Sequence, residues 1–280
     1  MKRFGLQLYS IRHHFTSPED TRRSFEIMRD CGYTHAQTAG TYSYISPEEF
    51  RSLADECGIE IMGTHYDWDL ICNDIEETAR YHTIIGAKYI GIGGISFNEL
   101  STKEKLFAFI DKFNELAKIY VEKYGFTALT YHNHTQEFRK IDGKTIMDWL
   151  IERFDKRYTA FVLDSLWAQL SGEDVCDLID RMGNSLACVH LKDLDPDHKY
   201  ELANGKILHA LPKLVEVGQG NMKFTKIIKT AEKYGCEYFT VEDEYYTTGE
   251  SYDSIRISAE NVKKYLLENA DRTNTPKGMS

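Results

Sequence analysis

Histidines and carboxylates crowd a few short stretches of this sequence. Tyr131-His132-Asn133-His134 is followed by Glu137, and Asp164 closes an apolar run. His190 is followed by Leu191-Lys192-Asp193, and Glu242 opens Glu242-Asp243-Glu244. In an extended strand alternate residues share a face, so His132 and His134 point one way, as do His190 and Lys192. Carboxylate oxygens and imidazole nitrogens together suit Mn²⁺, Mg²⁺, Co²⁺, Zn²⁺ or Fe²⁺. Two or three carboxylates with one His lean toward Mn²⁺ or Mg²⁺, with Mn²⁺ favoured. No cysteine falls in these stretches, which argues against a thiolate zinc site. The same residues suit proton transfer, because a histidine titrates near working pH.

Such residues need a scaffold that brings distant stretches together. Short β-branched or aromatic runs alternate with longer amphipathic ones. The expected strands are 4–9, 33–37, 59–65, 88–93, 127–132, 159–164, 186–192 and 238–242. Between them, helices are expected at about 18–31, 46–57, 73–85, 102–123, 144–153, 174–182, 223–234 and 254–269. Ser17-Pro18 and Ser46-Pro47 are helix starts, a capping hydroxyl followed by a proline in the first turn. Gly32, Gly58, Gly86 and Gly125 are helix stops. Eight such alternations in 280 residues predict an α/β fold, a parallel eight-stranded (β/α)8 barrel over 1–270 with a flexible tail at 271–280. No GxGxxG follows the first strand, which removes the usual reason to prefer a dinucleotide fold. Roughly thirty residues separate the seventh strand from its helix, a length that marks a functional or mobile loop.

In a barrel of this kind the active site lies at the C-terminal ends of the strands. Those ends are Gln7 and Tyr9, Gln37, His65 with Asp67 and Trp68, Gly93-Gly94, the YHNH stretch, Asp164 with Trp167, His190 with Lys192, and Glu242. The polar residues therefore gather on one rim. Gln7, His65, Trp68, Trp167 and Lys192 are candidate substrate contacts, the indoles by stacking on a sugar face.

Composition narrows the classes. With 44 acidic and 34 basic residues the net charge is −10, which opposes a phosphate backbone and argues against a nucleic-acid partner. The six cysteines are scattered, with no CxxC spacing, and read as reduced thiols, most of them buried, of a cytoplasmic protein. No secretory leader and no membrane-spanning run is evident. A homo- or hetero-oligomer is compatible with all of this.

Six stretches in order, LQLYSIR at 6–12, YHNHTQEF at 131–138, LDSLW at 163–167, HLKD at 190–193, VGQGNMKF at 217–224 and VEDE at 241–244, make the chain resemble the xylose isomerase-like TIM-barrel superfamily, in its sugar phosphate isomerase/epimerase group. The likeness covers about residues 4–268. It implies a metal held by four strand-end ligands, of which Asp164, His190 and Glu242 match directly. The fourth is normally a fifth-strand Glu, and here that position reads His132. Glu137 is the nearest carboxylate and the candidate ligand, with His132 or His134 as alternatives.

Each residue also has a plainer reading. His190 could be a packed core histidine, Asp164 a cap for the following turn, and Glu242 the partner of a lysine. Their common position at strand ends favours ligation. The implied chemistry is abstraction of a proton beside a carbonyl, with an enediolate stabilised by the cation. His132, His134, Lys192 and Glu242 are the candidate catalytic groups. The expected activity is a sugar isomerase or epimerase. The alternative is a lyase that expels a β-substituent from a 3-keto-glycoside or C-glycoside. An apurinic-endonuclease-like hydrolase carries less weight, because it needs about three metals and a basic face. No basic cluster suggests a phosphate on the substrate, which points to an unphosphorylated sugar.

Overall fold

The computed structural model describes residues 3–195, 201–203, 206–209 and 213–271, with side chains over 3–195 and 213–265. Eight parallel strands close into a barrel: β1 (Gly5–Gln7), β2 (His35–Ala39), β3 (Glu60–His65), β4 (Tyr89–Ile92), β5 (Ala128–His132), β6 (Thr159–Asp164), β7 (Leu186–Leu191) and β8 (Tyr238–Val241). Each neighbours the next in sequence, and β8 pairs with β1 through Gly5–Thr240 and Leu6–Val241. The main helices are α1 (Pro18–Cys31), α2 (Pro47–Glu56), α3 (Ile75–Ile85), α4 (Lys103–Tyr124), α5 (Ile146–Arg153), α6 (Val175–Met182), α7 (Phe224–Glu232) and α8 (Ser251–Asp271).

The local signals act as their chemistry requires. Ser17 and Ser46 accept the backbone N–H of Asp20 and Glu49, and a proline sits in each first turn. Thr145 and Asp148 form a reciprocal capping box at α5. Gly32, Gly86 and Gly125 end their helices in the left-handed conformation. One continuous apolar core joins the helices to the outer faces of the strands, from Phe4 and Phe25 round to Phe224 and Val262.

Two expectations are corrected. The first strand stops at Gln7, and Leu8–His14 forms a 3₁₀ segment, because the Gln7 side chain accepts the Tyr9 N–H and turns the chain. The long connection after β7 is not structureless. Asp193–Asp195 pairs antiparallel with Lys213–Val215, and Glu201–Ala203 pairs with Lys206–His209. The tail expected at 271–280 falls, from residue 272, outside the described residues. All six cysteines are free, five of them buried. Among the described residues no helix is long and apolar enough to cross a membrane.

Candidate metal centre at the barrel mouth

Four strand ends converge. His132 ends β5, Asp164 ends β6, His190 lies in β7 and Glu242 follows β8, and one potential ligand atom from each lies within 4.8 Å of the others. All four side chains are buried, His190 and Asp164 completely. Barrel register makes this possible, since Asp164 pairs with His190 and Thr240 with His190, which brings adjacent strand ends level.

Asp164 performs both tasks that its sequence position allows. Its Oδ1 accepts the N–H groups of Leu166 and Trp167, 2.9 Å each, and caps the short helix Ser165–Leu170. Its Oδ2 faces the cavity, where the Lys192 ammonium lies 3.0 Å away. Asn133 clamps the Asp164 backbone, accepting its N–H at 2.9 Å and donating to its carbonyl at 3.3 Å. His132 Nδ1 lies 3.0 Å from the Gly93 carbonyl. A carbonyl only accepts, so Nδ1 carries a proton, and Nε2 is the nitrogen turned to the cavity. That Nε2 is also buried and unpartnered. Gly93 admits this arrangement because a Cβ there would lie 2.9 Å from the His65 ring.

Lys192 lies at the centre of the carboxylates. Its Nζ is 3.0 Å from Asp164 Oδ2, 3.1 Å from Glu242 Oε2 and 2.7 Å from Glu244 Oε1, and the side chain is 2% exposed. Three carboxylates against one ammonium leave two negative charges in a buried site, and burying unpaired charge is costly. A divalent cation would balance them. The unpartnered His132 Nε2 and the mixed N/O donor set fit such an ion.

The electrostatics are those of a coupled site. Burial raises the pKa of Asp164 and Glu242, but Lys192 outweighs it and holds both below the ordinary range. Burial works against the Lys192 ammonium, and the three carboxylates overcome it and keep the group protonated. Burial lowers His190 and His65. It brings His134 down to about 4. Only His132 rises, because Asp164 and Glu242 outweigh its burial.

The other sequence candidates divide into three groups. His65 and His134 line a cavity of about 380 Å³ together with Tyr9, His132, Glu242 and Glu244. Trp68 lines an adjoining cavity of about 650 Å³ that also reaches His65, and Trp167 lines another of about 570 Å³ with Glu244 and Tyr245. Gln7 and Glu137 do not face the mouth. Gln7 is fully buried beneath His65 and Gln37. Glu137 is also fully buried, its Oε1 accepting the Tyr131 hydroxyl at 2.6 Å and its Oε2 the His134 N–H at 2.8 Å. With both oxygens engaged in holding the turn after β5, Glu137 lies outside the clustered donor group, in which His132 is the fourth member.

The sequence places Gln37 and Glu244 at strand ends but announces no role for either. Glu244 was legible by the same-face spacing Glu242-x-Glu244, which repeats His190-x-Lys192. Gln37 ends up against His190 Nε2 at 2.6 Å across the barrel, a contact no local signal announces.

No known family profile matches the chain, and no curated protein sequence does. Solved structures do. A sugar phosphate isomerase/epimerase from Parabacteroides distasonis ATCC 8503 superposes with a TM-score of 0.76 at 19% identity, covering 94% of this chain and 93% of that one. An AP endonuclease, family 2, from Brucella melitensis gives 0.65 at 15%, covering 93% and 99%. The IolI protein, solved with a bound zinc atom, gives 0.63 at 15%, covering 96% and 98%. The fold is thus the one that xylose isomerase-like barrels share.

Proposed function

We propose that this protein is a divalent-metal-dependent sugar isomerase or epimerase that removes a proton beside a carbonyl and passes through an enediolate. The observation that carries the reading is the buried group His132, Asp164, His190 and Glu242, whose ligand atoms lie within 4.8 Å of one another at the barrel mouth. These four residues would hold the cation. When bound, it would acidify the C–H beside the carbonyl and stabilise the negative charge that develops on oxygen.

The remaining groups sort by protonation. Lys192 is held protonated by its carboxylates, so it is no base, and its ammonium stabilises an oxyanion. His132 and Glu242 belong to the ligand group. His134 then remains as the base, since it lines the cavity, and burial keeps it neutral with a lone pair available at neutral pH. Trp68 and Trp167 flank the mouth, where an indole face suits the C–H face of a sugar ring. The net charge of −10 favours a small neutral substrate over nucleic acid.

A second reading, a lyase that expels a β-substituent from the same enediolate, is favoured by one observation. The fifth-strand position holds His132 in place of a carboxylate, which leaves His134 and His65 as the imidazoles that line the cavity outside the ligand group. The 650 Å³ cavity beside His65 would receive the leaving group. The test is solvent deuterium exchange by the metal-loaded protein into unphosphorylated ketoses and 3-keto-glycosides, read by NMR. Exchange with rearranged sugar supports the isomerase, and exchange with a released substituent supports the lyase. A loaded protein that exchanges no proton in either panel overturns both.

A further inference from the structure

We propose that Gln7 and Gln37 form a hydrogen-bond relay that sets two histidine tautomers, giving His190 a bare Nδ1 for the metal and His65 an Nε2–H donor for a substrate oxygen. The inference deepens the proposed function and rests on that reading for the identity of the cation site.

The relay starts from a backbone group whose polarity is fixed. The Tyr9 N–H donates to Gln7 Oε1 at 3.2 Å, which orients the Gln7 amide. Its NH₂ group then points inward and donates to Gln37 Oε1 at 2.9 Å and to His65 Nδ1 at 3.2 Å. A nitrogen that accepts carries no proton, so neutral His65 bears its hydrogen on Nε2. Gln37 cannot be turned over without setting its NH₂ against that of Gln7. Its Oε1 therefore also faces His190 Nε2, at 2.6 Å, and that nitrogen must donate. His190 is left with a lone pair on Nδ1, 2.8 Å from Glu242 Oε2. Such a pair is held either by a proton on Nδ1 or by a cation that both atoms bind, and in the metal-loaded site it is the cation.

The relay decides between two overlapping donor sets. His65, His132 and His190 also bring three imidazoles within 4.8 Å, which alone would suggest a three-histidine site. His65 Nε2 is buried, has no partner and carries hydrogen, so it donates into the cavity and binds no metal. The ligand set is the one with Asp164 and Glu242. Gln7 and Gln37 are positioning residues, and their burial, 0% and 1% exposed, keeps water from competing with the relay.

The test uses the full chain labelled with ¹⁵N-histidine and long-range ¹H–¹⁵N correlation, without metal and with Zn²⁺ alone. The expected result is His65 as the neutral Nε2–H form in both states, and a Zn²⁺-dependent shift at His190 Nδ1. A Zn²⁺-induced shift at His65 Nε2, or a proton on His65 Nδ1, overturns the relay. Gln7→Glu provides a second measurement. A carboxylate cannot donate, so His65 must protonate Nδ1, Gln37 must turn, and His190 must protonate the nitrogen meant for the metal. Zn²⁺ binding then weakens about 10- to 100-fold, the usual effect of losing a partner that orients a ligand. The added negative charge alone would tighten it, so unchanged or tighter binding contradicts the relay. Gln7→Leu, which removes the relay without inverting it, should weaken binding less. If the wild-type tautomers are as stated and Zn²⁺ does not bind, the relay stands and the metal reading falls.

Discussion

The two ends of the barrel treat their carboxylates in opposite ways. At the floor, where the strands begin, Glu60 meets Lys88 Nζ at 2.6 Å, the Tyr238 hydroxyl at 2.8 Å and the Arg3 guanidinium. Burial raises the Glu60 pKa, but hydrogen bonds from Lys88, Arg3 and Tyr238 outweigh it and bring it to about 2. That network is closed, with one carboxylate met by two cations and a hydroxyl. At the mouth three carboxylates share one ammonium, and His132 Nε2 and His65 Nε2 have no hydrogen-bond partner. The histidines show the same division. His82 is satisfied by the Thr64 hydroxyl at 2.8 Å and the Thr78 carbonyl at 2.6 Å and serves packing. Unsatisfied buried polar groups destabilise a protein, so their concentration at one end marks where a ligand completes the structure.

The largest expected effect breaks the mouth alone. His190→Ala or Glu242→Ala should abolish binding in a calorimetric Zn²⁺ titration while the circular dichroism of the barrel persists. Retention of full affinity in both variants would sink the proposed site.

Next in size is Lys192→Met. It leaves buried carboxylates without a cation, a change that costs about 3–5 kcal/mol. Denaturant unfolding should show that loss in chelator, and saturating Zn²⁺ should recover most of it. Equal destabilisation with and without Zn²⁺ would mean that the lysine and the metal do not share the carboxylates.

The floor should respond in stability only. Tyr238→Phe removes one hydroxyl from the Glu60 network and should cost about 1 kcal/mol with unchanged Zn²⁺ affinity. The smallest effect concerns pH. The folded-state pKa of Glu60 lies below its unfolded value, so its contribution is full above about pH 4.5 and is lost as pH falls toward about 2. Glu60→Gln should flatten the fall in stability across that window, as followed by acid-dependent unfolding. An unaltered slope would show that other carboxylates set it.

Much of this architecture was legible in the chain. The caps at Ser17 and Ser46 and the glycine stops at Gly32, Gly86 and Gly125 are local signals with local causes, and they fixed the strand and helix alternation. The mouth was legible in part, because same-face spacing and strand-end position identify His132, Asp164, His190, Lys192 and Glu242 without any contact. What escaped was long-range. Glu137 reads as a ligand in sequence, yet it binds the Tyr131 hydroxyl and the His134 N–H, a choice made by turn geometry after β5. Gln7 reads as a rim residue, yet the chain turns at Leu8 and buries it. Gln37 reaches His190 across 153 positions of sequence. Such contacts arise only when the barrel closes.

The central claim is that the mouth holds a divalent cation. Elemental mass spectrometry of the purified protein, before and after reconstitution and gel filtration, tests it most directly. The expected result is about one Mn²⁺, Co²⁺, Zn²⁺ or Mg²⁺ per chain, absent from Asp164→Ala. No retained metal after reconstitution would contradict it.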